Sequence, residues 1–563
     1  MASVYPKKVG GKTYYYLRHM ARVDGKPRLE WERYLGSAEE IAAAFAERDK
    51  AMLPDRTRHL AFGDVAAVWG VLDRLGLVSI VDEVVGARRS DAGASVGTYL
   101  ALATLNRVVA PCSKLGFADW WATTAADRFT RIPARVLDHR RFWDAMATVS
   151  IDELAEIERR LAVRMVAEFG LDTSAVALDM TNFATYIDSA NGRSAIAQRG
   201  KAKQKRADLR LVGLGLVLTR DGGVPFLSHA YPGNKPDVTQ FPTMLAELAA
   251  RHRAVADDGA DMTVVFDAGQ NSKDNFALLD TSGLHFIGSI PPTDCPDLLA
   301  LPADQRRPVD NDRYPGLTAI DTRRTVFGKD RRVVLTHSPT LHEGQSRGLD
   351  QTLAKTEARL AELADTLARG KTRRDRAAVE KQIAAILTDT WVKRILSWTL
   401  TGDTPAEHRL TWHVDNHARA ALEDELFGKR VLTTDRDDWA VVDVVAGYRS
   451  QSDAEFGFRQ LKDPHVVSFS PMHHWTDHNI RVHTQTCVFA LMIAHLMRRQ
   501  ADQAGLHLSV RELLDQLAGI QETVLIYPST RGRPKARRML TETSFSQDHL
   551  TEIFNLKRWA PRT

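Results

Sequence analysis

The stretch SAVALD, residues 174–179, opens an alternation that decides how this chain folds. It is a short apolar run ending in an acid. LRLVGLGLVLT (209–219) follows and is closed by Asp221-Gly222-Gly223, then VPFLSHAY (224–231), a helical stretch over 239–255, MTVVFD (262–267) and LHFIGS (284–289). Apolar runs of this length bounded by turn residues read as buried strands. The order is three strands, a helix, a strand, then a further helix and strand. Two of the runs, at Asp179 and Asp267, end on a carboxylate.

That order is the one found in an RNase H-like fold, a mixed sheet flanked by helices, and it places the chain in the α/β class. We expect a core in two parts, residues 171–291 and 436–510, separated by an insertion at 292–435. Leu349, Leu353, Leu360, Leu363 and Leu367, then Val379, Ile383, Ile386 and Leu387, describe a helical hairpin within the insertion. Strand-like segments follow at 394–400, 409–414 and 429–433. Upstream, residues 1–60 are β-rich, with aromatic runs on either side of Asp24-Gly25, a hairpin signal. Gly10-Gly11-Lys12-Thr13 lacks the first glycine of a phosphate loop, since Pro6 stands there, so it reads as a turn before a strand. Residues 61–170 are helical, with a capping box at Ser150–Glu153; they read either as a packing domain or as a DNA-end-binding domain. Residues 511–563 form a basic C-terminal region.

The composition is that of a globular protein: 563 residues, 44% hydrophobic, 26% charged. Cys112, Cys295 and Cys487 lie far apart and form no CxxC pair, which argues against a zinc ribbon or disulfide scaffold. No signal peptide or run of 18 apolar residues is evident, so we expect an intracellular, cytoplasmic protein with no membrane partner. The net charge of +5 is small, but basic residues cluster at 199–210, 368–376 and 531–538. In the first cluster Arg199, Lys201, Lys203, Lys205 and Arg206 are candidates for phosphate-backbone contact.

Three acids are candidates for chemistry. Asp179 and Asp267 end strands, at the sheet edge where α/β sites gather, although an acid at a strand end is more commonly a turn or helix cap. Glu455 lies in YRSQSDAEFGFRQLK (448–462). In one continuous helix Tyr448, Gln451, Glu455 and Lys462 would share a face, an unusual mixture for a solvated surface. Trp391, Trp398 and Trp412 read as packing residues of the insertion before they read as base-stacking platforms. His473, His474, His478 and His483 read as structural residues before metal ligands. No G-x-S-x-G elbow supports a hydrolase triad.

Tyr448-x2-Gln451-x3-Glu455-x6-Lys462 resembles the Y-R-E-K signature of DDE transposases of bacterial insertion sequences, in the insertion-sequence-four superfamily. Thr181-Asn182 after the first acid, Ala268-Gly269 after the second, Pro232-Gly-Asn234, Pro471–Asp477 and the insertion before the final Glu resemble the longer-chain branch. The resemblance implies that Asp179, Asp267 and Glu455 bind two Mg²⁺ or Mn²⁺ ions, and that Tyr448, Gln451 and Lys462 position a DNA phosphate. It also implies strand cleavage at the element's terminal inverted repeats, transfer into target DNA, a homodimer or larger synaptic assembly, and a bacterial, nucleoid-associated location. Gln451 departs from the signature's Arg: either Arg449 or Arg459 supplies the charge, or activity is lowered. The alternatives are a transposase-derived DNA-binding protein that no longer cuts, and an RNase H-like nuclease without strand transfer.

Overall fold

In chain order, a computed structural model gives three opening strands, β1 (Ala2–Val9), β2 (Lys12–Val23) and β3 (Lys26–Gly36), then β4 (Arg56–Ala61). The next are β5 (Ala175–Thr185), β6 (Arg210–Thr219), β7 (Pro225–Pro232), β8 (Thr263–Val265) and β9 (His285–Ile290). After them come β10 (Arg307–Pro308), β11 (Thr318–Val326), β12 (Lys329–His337), β13 (Leu396–Thr401), β14 (Arg409–Val414) and β15 (Lys429–Thr434). Two more, β16 (Gln521–Ile526) and β17 (Ala536–Leu540), close the series. The structure describes residues 2–23, 25–86, 93–188, 190–201, 208–255, 261–371, 374–470, 472–528 and 534–562, without the side chains of 49–52 and 453.

The chain divides into two compact units. One comprises Met1–Val71, Ser113–Arg141 and Gln500–Thr563. It holds the antiparallel sheet β1-β2-β3 and a second sheet, β17-β16-β4. Glu522 on β16 is fully buried, and Arg128 and Arg538 both pair with it, at 2.6 and 2.5 Å. The other unit comprises Leu72–Cys112 and Phe142–Arg499. The helical stretch 61–170 therefore does not fold as a unit of its own; it is shared between the two. Its capping box is present, with Ser150 Oγ accepting from Glu153 N.

The larger unit is built on a nine-stranded mixed sheet in the order β10-β11-β12-β15-β9-β8-β5-β6-β7. β5 and β6 are buried along nearly their whole length, as expected of inner strands covered on both faces. β6 carries glycine where neighbours come closest: a Cβ on Gly213 would lie 2.2 Å from the Tyr231 ring, and one on Gly215 would lie 2.3 Å from Met244 Sδ. β5 pairs in parallel with β8, and β8 with β9, while β5-β6 and β6-β7 are antiparallel. The segment 292–435 is only partly an insertion. β10, β11, β12 and β15 extend the central sheet, with β15 pairing directly with β9. The rest packs against that extension in one shared core: Leu349, Leu360 and Leu367 of the Pro339–Ala368 helix and Val379 and Ile383 of the Arg376–Ile386 helix bury together with Val333 and Leu335 of β12 and Val431 of β15.

The Asp477–Gln503 helix is long and apolar enough to cross a membrane, yet 89% of its apolar window is buried inside the protein. That is the environment of a core helix. On the side of the sheet where it lies, Glu158 accepts from Arg251 at 3.0 Å, from Ser228 and from Gln485. This buried network joins the Ile151–Phe169, Phe241–Val255 and Asp477–Gln503 helices to β7.

Candidate active site

The parallel register of β5 and β8 aligns two of the acids. Ala175, Val176 and Ala177 sit opposite Thr263, Val264 and Val265, and Asp179 and Asp267 each lie two residues beyond the last pair. Side chains alternate with period two along a strand, so the carboxylates share the side of Ala177 and Val265. Val265 packs there against Val444, Val445 and Tyr448. Asp267 lies two residues past the end of β8 and caps the next turn, its Oδ1 accepting from Gly269 N at 2.8 Å. Asp179 does not end its strand. β5 continues to Thr185 because antiparallel pairing with β6 runs from Val176 to Thr185. Asp179 instead marks the point where β5 loses its parallel neighbour.

The motif around Glu455 is not a single helix. One helix, Val441–Arg449, ends at Ser450, and a second runs from Gln451 to Lys462. Ser450 terminates the first by bonding back through its N–H and hydroxyl to Gly447 O. The break separates Tyr448 from the other three residues. Tyr448 is buried in an apolar cluster, with the Arg430 guanidinium 5.1 Å from its ring centroid. Gln451 begins the second helix, and its side-chain Nε2 is buried without a hydrogen-bond partner. Glu455 is exposed. Lys462 Nζ donates to Thr181 Oγ1 at 2.8 Å and lies 5.4 Å from the Phe183 ring centroid. Thr181 is on the same side of β5 as Asp179, so Lys462 is held beside that strand. Glu455 shares the Lys462 side of the helix, two turns or about 10.5 Å away. Arg459 is exposed and lies over Phe456, which Arg498 also approaches.

Among the described residues, no group of three His, Cys, Asp or Glu side chains is positioned to hold a metal ion. Asp179 and Asp267 are thus brought into register, and Glu455 does not complete a three-carboxylate group with them here.

Arg199 and Lys201 are exposed. The Lys201 carbonyl accepts from Asn182 Nδ2 at 3.0 Å, which brings this basic segment alongside the strand of Asp179. Lys203, Lys205 and Arg206 lie outside the described residues, as do Asp24, Pro471 and Arg531 to Arg533 of the C-terminal basic cluster. The tryptophans pack the insertion: Trp398 pairs with Trp412 across β13 and β14, and Trp391 sits 4.8 Å from Phe427. His478 and His483 are hydrogen-bonded to the carbonyls of Met146 and Phe469.

Two features were not legible in the sequence. Tyr231 sits over Gly213, on the sheet face opposite Asp179; burial, its hydrogen bond to Asp237 at 2.7 Å, and the charges of Asp237 and Asp179 all push its phenol pKa up. The second is a cleft of about 500 Å³ beside Tyr448, lined by Arg313, Arg430, Arg449 and Tyr314, with no acid in its wall. Arg449 stacks on Tyr314 at 4.2 Å. These arginines are too far apart in the chain to form any motif.

The seat of the Gln451–Lys462 helix depends on a buried histidine. His495 is hydrogen-bonded on both sides, to Gly223 O at 2.5 Å and to the Gln460 side chain at 2.7 Å. Burial, reinforced by Arg498, pushes its pKa down to about 3. A depressed histidine pKa means that the unfolded chain binds the extra proton. Stability is therefore complete above about pH 6.5 and falls below it, by up to about 1.4 kcal/mol per pH unit. In urea unfolding from pH 7 to pH 4, His495→Gln is expected to show a slope shallower by about one proton. An unchanged slope would mean that the native ring is already protonated.

No protein-family model and no curated protein matches the chain. Among solved structures it is similar to a piggyBac transposase, seen by cryo-EM in a synaptic complex with hairpin DNA. The two share 8% identity over 81% of this chain and 78% of that one, with a TM-score of 0.38.

Proposed function

We propose that the chain is a DDE transposase that cuts DNA at the ends of its own insertion sequence and joins those ends to target DNA. The observation supporting this reading is the β5-β8 register, which puts Asp179 and Asp267 at matching positions on one face of the sheet, with Lys462 hydrogen-bonded to Thr181 on the same strand as Asp179. The strand arrangement β7-β6-β5-β8-β9, with its parallel β5-β8-β9 part, supports an RNase H-like core within the wider sheet.

The donor set suits a hard divalent cation. Two carboxylates, with waters and substrate phosphate, meet the ordinary demand of Mg²⁺, and Glu455 on the neighbouring helix is the third candidate. Such ions, when bound, supply Lewis-acid stabilisation of phosphodiester transfer. Asp179, Asp267 and Glu455 would hold them. Lys462 would neutralise charge on the scissile phosphate. Tyr448, Gln451 and the arginine cleft would bind neighbouring phosphates, the unpartnered Gln451 amide serving as a donor. Water would break the phosphodiester, leaving a 3′-hydroxyl; that hydroxyl would attack a target phosphodiester, one bond forming as one breaks.

The test uses purified protein, Mg²⁺ and labelled duplexes made from the DNA flanking the coding region, with uncut and precut ends assayed separately. Nicking and joining are both expected, and both stop with EDTA. Lys462→Met is expected to slow single-turnover cleavage by about 10²-fold, the ordinary effect of removing one pre-positioned charge; an unchanged rate would remove Lys462 from the chemistry. A second reading, a DNA-binding protein that no longer cuts, is favoured by Gln451, which brings no charge where the signature has Arg. Binding without cleavage, with no inverted repeats around the coding region, would establish it.

A further inference from the structure

The β1-β2-β3 sheet takes no part in this chemistry, yet its surface is built for a polyanion. Residues 1–36 hold eight lysines and arginines against three acids, a local charge of +5. Every residue of β1 is exposed, and β3 is exposed from Lys26 to Tyr34. Among the described residues only two ion pairs form on these strands, Arg18–Glu32 and His19–Glu30. Lys7, Lys8, Lys12, Arg22, Arg28 and Arg33 have no carboxylate partner there.

The register sorts these side chains into two faces. On one, Tyr5, Tyr14, Tyr16 and Tyr34 cluster, with Arg18 3.6 Å over Tyr5 and Lys7 5.8 Å over Tyr16. On the other, Trp31 stacks on His19 beside Arg28 and Arg33. Trp31 and Tyr34 remain 45% and 53% exposed, a cost that a sheet without a partner has no reason to bear. Gly10 and Gly11, both at positive φ, close the β1-β2 hairpin and hold Lys7, Lys8 and Lys12 around its tip.

We propose that this sheet is a surface for duplex DNA, with its cations on backbone phosphates and its tyrosines and Trp31 against the groove wall. Charge complementarity identifies the partner as a polyanion. The dimensions suit a duplex: two adjacent strands about 4.8 Å apart, as in the β1-β2 hairpin, form a ribbon that a groove about 12 Å wide admits, and β2 at about 40 Å spans more than one helical turn. The choice of DNA among polyanions rests on the function proposed above; the surface itself does not.

The test measures binding of the full chain to a 30-base-pair duplex of arbitrary sequence, in EDTA, from 50 to 200 mM salt. Lys8→Gln/Arg22→Gln/Arg28→Gln/Arg33→Gln is expected to bind at least tenfold more weakly at low salt. Its slope of log K against log salt should be shallower by about 3.6 if all four cations contact phosphates, since each lost phosphate contact removes about 0.9. Tyr5→Ser/Tyr34→Ser is expected to lose affinity while keeping the slope. All these positions are exposed, so thermal unfolding should be unchanged. An unaltered slope and affinity would overturn the proposal. So would tighter binding to single strands, or a loss of self-association with DNA binding intact, which would make the occupant a second copy of the chain. EDTA keeps cleavage out of the measurement, so a negative result here leaves the catalytic reading standing, and an inactive enzyme leaves this one testable.

Discussion

Asp179→Asn is expected to lower Mg²⁺-dependent strand cleavage on the order of a thousandfold while changing the affinity for end DNA by less than about twofold. The substitution is nearly isosteric. It keeps an oxygen able to accept from Met180 N, which now bonds Asp179 Oδ1 at 2.7 Å, so β5 and its pairing with β6 should survive. What it removes is a negative oxygen from a pair aligned by the β5-β8 register. A cation shared by two carboxylates loses much of its binding with either one, and a loss near 4 kcal/mol of transition-state stabilisation corresponds to that factor. Asp267→Asn should act alike, and Glu455→Gln should match both if the exposed Glu455 joins them when DNA is bound. Asp437→Asn is the control; that exposed acid pairs with Arg323, away from the aligned acids. Normal cleavage by Asp179→Asn, with unfolding at the wild-type temperature, would end the transposase reading.

Arg251→Met should destabilise the larger unit by about 3–5 kcal/mol. Arg251 and Glu158 are both nearly inaccessible, at 7% and 5% side-chain exposure, and pair at 3.0 Å. Arg251 also donates to the Phe226 carbonyl at 2.6 Å. Among the described residues, removing the guanidinium leaves a buried carboxylate supported by Ser228 and Gln485, and an uncompensated buried charge costs about this much. Removing both charges should cost far less, because the desolvation penalty leaves with them. Glu158→Leu/Arg251→Met is therefore expected to recover most of the loss, a non-additivity readable in urea midpoints. Equal destabilisation by the single and double variants would mean that packing, not charge, sustains this site.

The strands β5 to β9 were legible because inner strands must be apolar on both faces, and runs such as LRLVGLGLVLT admit few other readings. β11 and β12 were missed. Arg323, Arg324, Asp330 and Arg331 interrupt their apolar pattern, and those charges are satisfied by partners remote in sequence: Arg331 by Asp280, Arg324 by Asp297. A helix carrying Glu455 over 448–462 was legible, but its break at Ser450 was not. Ser450 is neither proline nor glycine; the break is made by its N–H and hydroxyl bonding back to Gly447 O.

The sequence by itself determined that acids stand at residues 179, 267 and 455, that the first two lie on or just past strands and the third on a helix, and that the charge is concentrated in short basic segments. Periodicity accounts for this, since it sets which way a side chain points within its own element. Only the tertiary structure decided that Asp179 and Asp267 stand side by side, that Lys462 rests on Thr181, and that Arg313, Arg430 and Arg449 surround one cleft. Those relations depend on backbone pairing and packing between segments tens to hundreds of residues apart, and no local propensity encodes the register in which such segments meet.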